Sequence, residues 1–127
     1  MKRFLIILGV IVLIFILIAA GGVFYITRGL DEGAKLVVNP VVLSSVSDGV
    51  YHGRYASGRW TNELDVTVKE HRISGIRIIK DVTFPKPEWA QQLFDRVVEK
   101  QNTDVEVISG ATVTSRAYLK SIENAFK

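Results

Sequence analysis

Four hydroxyl side chains lie within seven residues in the segment Ser109-Gly110-Ala111-Thr112-Val113-Thr114-Ser115. Helical periodicity begins directly after this segment, so side-chain oxygens and free backbone N–H groups would converge at a helix entrance. The helix dipole adds partial positive charge there, and Gly110 lets the backbone approach a ligand closely. These groups together suit an anionic phosphate. Arg116, in the first turn, could add a forked contact to the same phosphate.

The same segment has a simpler interpretation, in which its hydroxyl groups only cap the helix. Capping by Ser or Thr contributes about 1 kcal/mol and needs no ligand. The residue types alone leave both interpretations open.

Other catalytic patterns are missing from the chain. His52 and His71 are the only histidines and there is no cysteine, so a His/Cys metal site lacks ligands and we expect no metal. No G-x-S-x-G nucleophile motif occurs, and the glycine spacing fits neither a dinucleotide loop nor a phosphate loop. We therefore expect no catalytic residues. Without cysteine, disulfides, iron–sulfur clusters and c-type haem are also excluded.

The charge of the chain excludes nucleic acid as a partner. The net charge is +3, from 16 Lys+Arg and 13 Asp+Glu. Lys2 and Arg3 supply most of that excess, and the remainder of the chain is nearly neutral. A nearly neutral domain has no basic stripe for a phosphate backbone.

The N-terminal region reads as a transmembrane helix. From Phe4 to Ile26 there are 23 residues without a charge, and a helix of that length spans about 34 Å, enough for a bilayer core of about 30 Å. Lys2 and Arg3 precede the apolar run, whereas the charges after it cancel, so the N-terminus is expected in the cytoplasm. A cleaved signal peptide is the alternative, because small residues at 19–22 would suit a peptidase.

The remaining sequence predicts a small α+β domain, a mostly antiparallel sheet covered by two helices and preceded by the transmembrane helix. Residues 28–47 read as a linker or lead-in whose apolar stretch could add an edge strand. The periodicity predicts two short strands between residues 48 and 60, a β-hairpin over 64–80, a helix over 88–101 and a helix over about 115–126.

Three blocks of the sequence resemble one known family. Residues 107–115 resemble the S-G-A-T-x-T-S flavinylation motif of the FMN-binding domain family, found in Rnf and sodium-translocating NADH:quinone reductase subunits. Asp48-Gly49-Val50-Tyr51-His52-Gly53 is similar to the family's D-G-x-Y-x-G opening, and residues 64–79 are similar to its hairpin. Glu106 and the Glu70-His71 turn stand where the family commonly has Asp and D-G. The resemblance makes 48–127 the FMN-binding domain and 1–27 the anchor.

The resemblance also implies a covalent cofactor. Thr112 corresponds to the threonine that receives FMN through a phosphoester bond, and Thr114 is a second candidate for attachment. In the family a separate flavin transferase, which uses FAD and Mg²⁺, makes this bond. The cofactor-binding residues expected around it are Ser109, Gly110, Ala111, Ser115 and Arg116, with Tyr51 among the aromatic candidates for ring contact.

These expectations lead to a single-pass, extracytoplasmic flavoprotein. A covalent tether keeps the flavin bound at any free FMN concentration. We expect an electron carrier without a substrate of its own, which exchanges electrons with membrane redox partners. Two alternatives remain: a membrane-tethered binding or assembly module, and an enzyme that uses FMN to reduce a small molecule.

Overall fold

The computed structural model describes all residues, 1–127. The expected α+β architecture is confirmed: a three-stranded antiparallel sheet in the order β1-β2-β3, with helices on one face. The elements are α1 Lys2–Thr27, α2 Leu30–Ala34, β1 Gly49–Tyr55, a 3₁₀ turn at Gly58–Trp60, β2 Asn62–Lys69, β3 Arg72–Lys80, α3 Pro87–Lys100 and α4 Thr112–Ala125.

The predicted hairpin is present as β2 and β3, because alternate apolar residues of β2 point into the core. Its two turn residues, Glu70 and His71, both adopt positive φ values, 53° and 60°. Such values normally favour Gly or Asn. Here the Glu70 N–H donates to Asp48 Oδ1 at 2.8 Å, and the His71 ring lies 3.0 Å from the Val46 carbonyl oxygen.

The prediction of two strands between residues 48 and 60 is wrong. This region forms one strand, β1, followed by the 3₁₀ turn. Trp60 in that turn is buried, and the Asn62 side chain donates to its carbonyl oxygen at 2.9 Å. A buried side chain held by a local hydrogen bond thus ends the extended segment.

Helix α4 packs directly on the backbone of β1. A Cβ atom at Gly53 would overlap the carbonyl oxygen of Ser121, so only glycine permits this approach. Beneath the helices lies one continuous core that includes Leu64, Leu93 and Ile122. The sheet therefore fixes the position of α4.

The lead-in segment does not form the edge strand that its apolar stretch could have added. Instead, residues 36–47 pack against the helices and the loop after α3, and Val41 and Leu43 are buried in the main core. The backbone N–H of Asn39 donates to Glu123 Oε1 at 2.5 Å, and its carbonyl oxygen accepts from Thr103 Oγ1 at 2.7 Å. These backbone groups bond to side chains of α4 and of the loop after α3, and are therefore not available to a strand partner.

Helix α1 is long enough and apolar enough to cross a membrane, and none of its residues is buried. Its last turn contacts the domain at two points. The Tyr25 and Thr83 hydroxyl groups lie 2.9 Å apart, and Arg59 Nε donates to the Ile26 carbonyl oxygen at 2.9 Å.

Candidate functional site

The first turn of α4 lacks the capping groups that most helices have. The helix begins at Thr112, three residues earlier than the sequence predicted, and Ala111 occupies the N-cap position with no side-chain hydrogen bond. The backbone N–H groups of Thr112, Val113 and Thr114 consequently have no partner in the chain. Gly110, with φ of 81°, turns the chain into the helix just before them. Three free N–H groups at the positive end of a 14-residue helix favour an anionic group.

The four hydroxyl groups of this segment fall into two pairs. Ser115 is buried and its Oγ accepts the Ile108 N–H at 3.2 Å. Thr114 Oγ1 accepts from Trp60 Nε1 at 3.2 Å. Ser109 and Thr112 are exposed, and their hydroxyl groups make no hydrogen bond within the protein. Two hydroxyl groups are therefore structural, and two are free for a ligand or a modifying enzyme.

These hydrogen bonds also test the interpretation that the hydroxyl groups of the segment only cap the helix. No side chain of the segment caps α4, so capping does not explain why four hydroxyl residues stand together here.

Arg116 lies one turn beyond Thr112 but is not directed at the free N–H groups. Its guanidinium donates to the carbonyl oxygen of Ala34 at 2.6 Å, at the end of α2. Val113 packs tightly against Gly33 of the same short helix. Helix α2 thus covers one side of the α4 entrance.

A groove of about 380 Å³ opens beside this end of α4. It is lined on one side by the lead-in and on the other by the loop after α3, with α4 as its floor. Because Thr112 and Arg116 are four residues apart, they share the helix face on which the groove lies. The lining combines apolar surface with two basic side chains and one acidic side chain; its residues are Lys35, Leu36, Val37, Val38, Thr103, Asp104, Val105, Val107, Arg116 and Leu119.

The structure does not bring Tyr51 to this site. Its ring packs against Phe126, with centroids 5.4 Å apart, and its hydroxyl donates to the Ser47 carbonyl oxygen at 2.6 Å. Phe126 directly follows α4, and the helix extends about 20 Å between that end and Thr112. Tyr51 is therefore a packing residue at the opposite end of the helix. The antiparallel course of β1 along α4 decides this, and no sequence motif reveals it.

The lead-in contributes groove residues that the sequence did not suggest as site residues. Lys35 and Leu36 to Val38 line it, yet they show no periodicity and precede the recognisable motifs. Only the folded chain brings them beside Arg116.

A known protein family matches the part of the chain that contains the first turn of α4. Residues 59–127 match the model of the FMN-binding domain. The match covers more than half of the chain, which belongs to the FMN-binding domain family. The chain is also 30% identical over 82 residues to an uncharacterized protein of Treponema pallidum (strain Nichols). That alignment covers 63% of this chain and 23% of the relative, so the chain spans less than a quarter of the relative's length.

The residues of the site fit the cofactor that the family implies. FMN has a phosphate at one end and a planar apolar ring system at the other. The uncapped first turn of α4 offers three N–H groups to the phosphate, beside the free Thr112 hydroxyl. The adjoining groove offers apolar walls with Lys35 and Arg116. A flavin-binding protein is therefore consistent with both the family and the geometry.

Proposed function

We propose that the protein carries FMN covalently on Thr112 and relays electrons at the outer face of a membrane. One observation carries the choice of residue: of the two threonines in the first turn, Thr112 has an exposed hydroxyl without a partner, whereas Thr114 is bonded to Trp60. A transferase can reach Thr112 without breaking an internal contact.

In the attachment reaction, FAD donates the FMN group to Thr112 and AMP is the leaving group. The Thr112 hydroxyl oxygen forms a bond to the FMN-side phosphorus of FAD, the pyrophosphate P–O bond breaks, AMP leaves, and the hydroxyl proton is released. A separate Mg²⁺-dependent flavin transferase would catalyse this step. The free N–H groups of residues 112–114 would then stabilise the negative charge of the phosphoester.

The bound FMN would supply the redox chemistry, accepting and releasing electrons. The chain's own residues position it. The α4 entrance would hold the phosphate, and the apolar walls of Leu36, Val38 and Val107 would shield the ring from water. Among the charged residues of the same groove, Lys35 and Arg116 outnumber Asp104, and this excess of positive charge favours a ligand carrying negative charge. No group of three or more acidic and histidine side chains is placed to hold a metal ion in the fold.

The binding-module alternative has weaker support, because it requires the hydroxyl residues to serve as caps and α4 has no side-chain cap. The enzyme alternative shares the same cofactor and differs only in its electron acceptor. It predicts that a small molecule oxidises the reduced flavin in the isolated protein.

The test is the intact mass of the full chain after co-expression with a flavin transferase. We expect a mass increase of one FMN less one water, together with in-gel flavin fluorescence. Both should be lost in Thr112→Ala and retained in Thr112→Ser, which keeps a hydroxyl group. Thr114→Ala is the matched control, because it removes the neighbouring hydroxyl and should leave attachment intact. Attachment that survives Thr112→Ala and disappears in Thr114→Ala would move the site to Thr114.

A further inference from the structure

An aromatic and basic surface adjoins the end of α1. It consists of Arg59, Phe84, Lys86 and Trp89, and is here called the Phe84 patch. The Arg59 guanidinium carbon lies 4.1 Å from the centroid of the Trp60 ring and 5.4 Å from that of Phe84. Lys86 Nζ lies 5.9 Å from the Trp89 ring centroid. Phe84 is 53% exposed, although phenylalanine is among the residues most often buried.

The distance of this patch from the bilayer follows from its bonds to α1. The uncharged run of α1 ends at Ile26, so its last turn would leave the hydrocarbon and enter a head-group layer about 5–8 Å thick. Arg59 donates to the Ile26 carbonyl oxygen, and the Thr83 hydroxyl bonds to that of Tyr25. The backbone N–H of Thr83 also donates to the Arg59 carbonyl oxygen at 2.9 Å, which ties the loop to the 3₁₀ turn. Residues bonded directly to the last turn of α1 must lie at the depth of that turn.

The composition of the patch matches the same layer. Tryptophan rings, which carry a polar N–H, and long basic side chains concentrate where head groups meet acyl chains. A purely apolar ring such as that of Phe84 inserts into the same boundary from its apolar side. Basic side chains are also attracted by anionic lipids.

We propose that the Phe84 patch seats the domain on the head groups of the bilayer that α1 spans. The inference rests on the membrane anchoring in the proposed function. This contact fixes the orientation of the domain on the lipid surface, so the domain does not rotate freely about the end of α1. It also places the α4 entrance near the membrane, since Trp60, next to Arg59, bonds to Thr114.

The test uses single cysteines carrying a polarity-sensitive fluorophore, which is practical because the chain has no cysteine of its own. The labelled variants are Phe84→Cys and Lys86→Cys. Lys69→Cys is the matched control, because it is exposed at the far end of β2, about 23 Å along the strand from Asn62. The full-length protein is reconstituted into phosphatidylcholine vesicles, with and without phosphatidylglycerol.

We expect the labels at 84 and 86 to emit at shorter wavelength than the label at 69. Their quenching by aqueous iodide should be several times weaker, and lipids with a nitroxide on the head group should quench them strongly. If iodide quenches the labels at 84 and 86 as strongly as the label at 69, the proposed contact of the Phe84 patch with the head groups is wrong. Protection that disappears when the protein is diluted in lipid would also overturn it, since a second copy of the chain would then be the occupant.

Extraction with alkaline carbonate distinguishes a failure of the membrane anchor from a failure of the contact between the Phe84 patch and the head groups. If the protein stays in the vesicles while the label at 84 is exposed to water, the Phe84 patch does not contact the head groups, but α1 still anchors the protein. If carbonate removes the protein from the vesicles, both the anchoring by α1 and the contact of the Phe84 patch with the head groups are contradicted. Flavin attachment, measured by mass, is independent of either result.

Discussion

Thr112 and Thr114 illustrate how two equal side chains acquire different roles. Both lie in the first turn of α4, and the S-G-A-T-x-T-S pattern contains both. Because successive helical positions are rotated by about 100°, Thr114 turns toward Trp60 while Thr112 turns toward solvent. A hydroxyl group that is already bonded is a poorer attachment point than a free one.

Glu123 connects three parts of the molecule. Burial would raise the pKa of this carboxyl group, but hydrogen bonds from Lys127, the Asn39 N–H and Lys120 outweigh burial and hold the pKa at about 2. The Glu123 side chain is 4% exposed. It thus fastens the lead-in to α4 through a charged group that solvent scarcely reaches.

We predict that Glu123→Gln lowers the free energy of unfolding at neutral pH by roughly 1–3 kcal/mol, the usual cost of losing hydrogen bonds to a charged group. Because the folded-state pKa lies below the ordinary 4.5, the wild-type contribution is complete above pH 4.5 and is lost as pH falls toward about 2. Thermal unfolding of the detergent-solubilised protein between pH 2 and 7 measures both effects. Glu99→Gln, at an exposed position of α3, is the control and should change neither.

At the scale of elements, the contact between α4 and β1 determines where the site lies. The helix follows the strand so that its C-terminal end meets Tyr51 and its N-terminal end meets Trp60 and α2. Gly53 makes this approach possible, since any side chain there would meet the Ser121 carbonyl oxygen.

We predict that Gly53→Ala destabilises the domain by about 1–3 kcal/mol or more, because a methyl group is forced against backbone that cannot rotate away. Gly75→Ala is the matched control, since a Cβ atom at Gly75 on β3 would have no neighbour within 4 Å. Denaturant or thermal unfolding of both variants provides the comparison. Equal stability of the two variants would contradict the close packing of α4 on β1.

At the scale of the whole molecule, α1, the 3₁₀ turn and α2 meet at one end of the domain. The lead-in then passes along the helices and supplies one wall of the groove that Arg116 lines, one helical turn beyond Thr112. The segment between α1 and β1 is therefore part of the site's surroundings, and its apolar residues Val41 and Leu43 belong to the core.

We predict that the domain lies outside the cell and that α1 is retained. In intact cells a membrane-impermeant maleimide should label Ser44→Cys, an exposed position in the lead-in. A cysteine placed ahead of Met1 by a short tag should react only after permeabilisation, because the positive charges of Lys2 and Arg3 favour a cytoplasmic N-terminus. The opposite labelling pattern would reverse the orientation, and loss of the tag from mature protein would indicate a cleaved signal peptide.

The local elements and the candidate segment follow from the amino-acid sequence alone. The alternation in β2, the turn at Glu70-His71 and the apolar stripe of α3 act over a few neighbouring residues, so their pattern is visible in the chain. The uncharged run of α1 and the motif around Thr112 are local for the same reason.

How these parts meet depends on the packing of the folded chain. It assigned Thr114 to Trp60 across 54 residues and left Thr112 free. It moved Tyr51 to the far end of α4, and it brought Lys35 beside Arg116 in one groove. These outcomes depend on packing between residues far apart in the chain, and such contacts leave no periodic signal in the sequence.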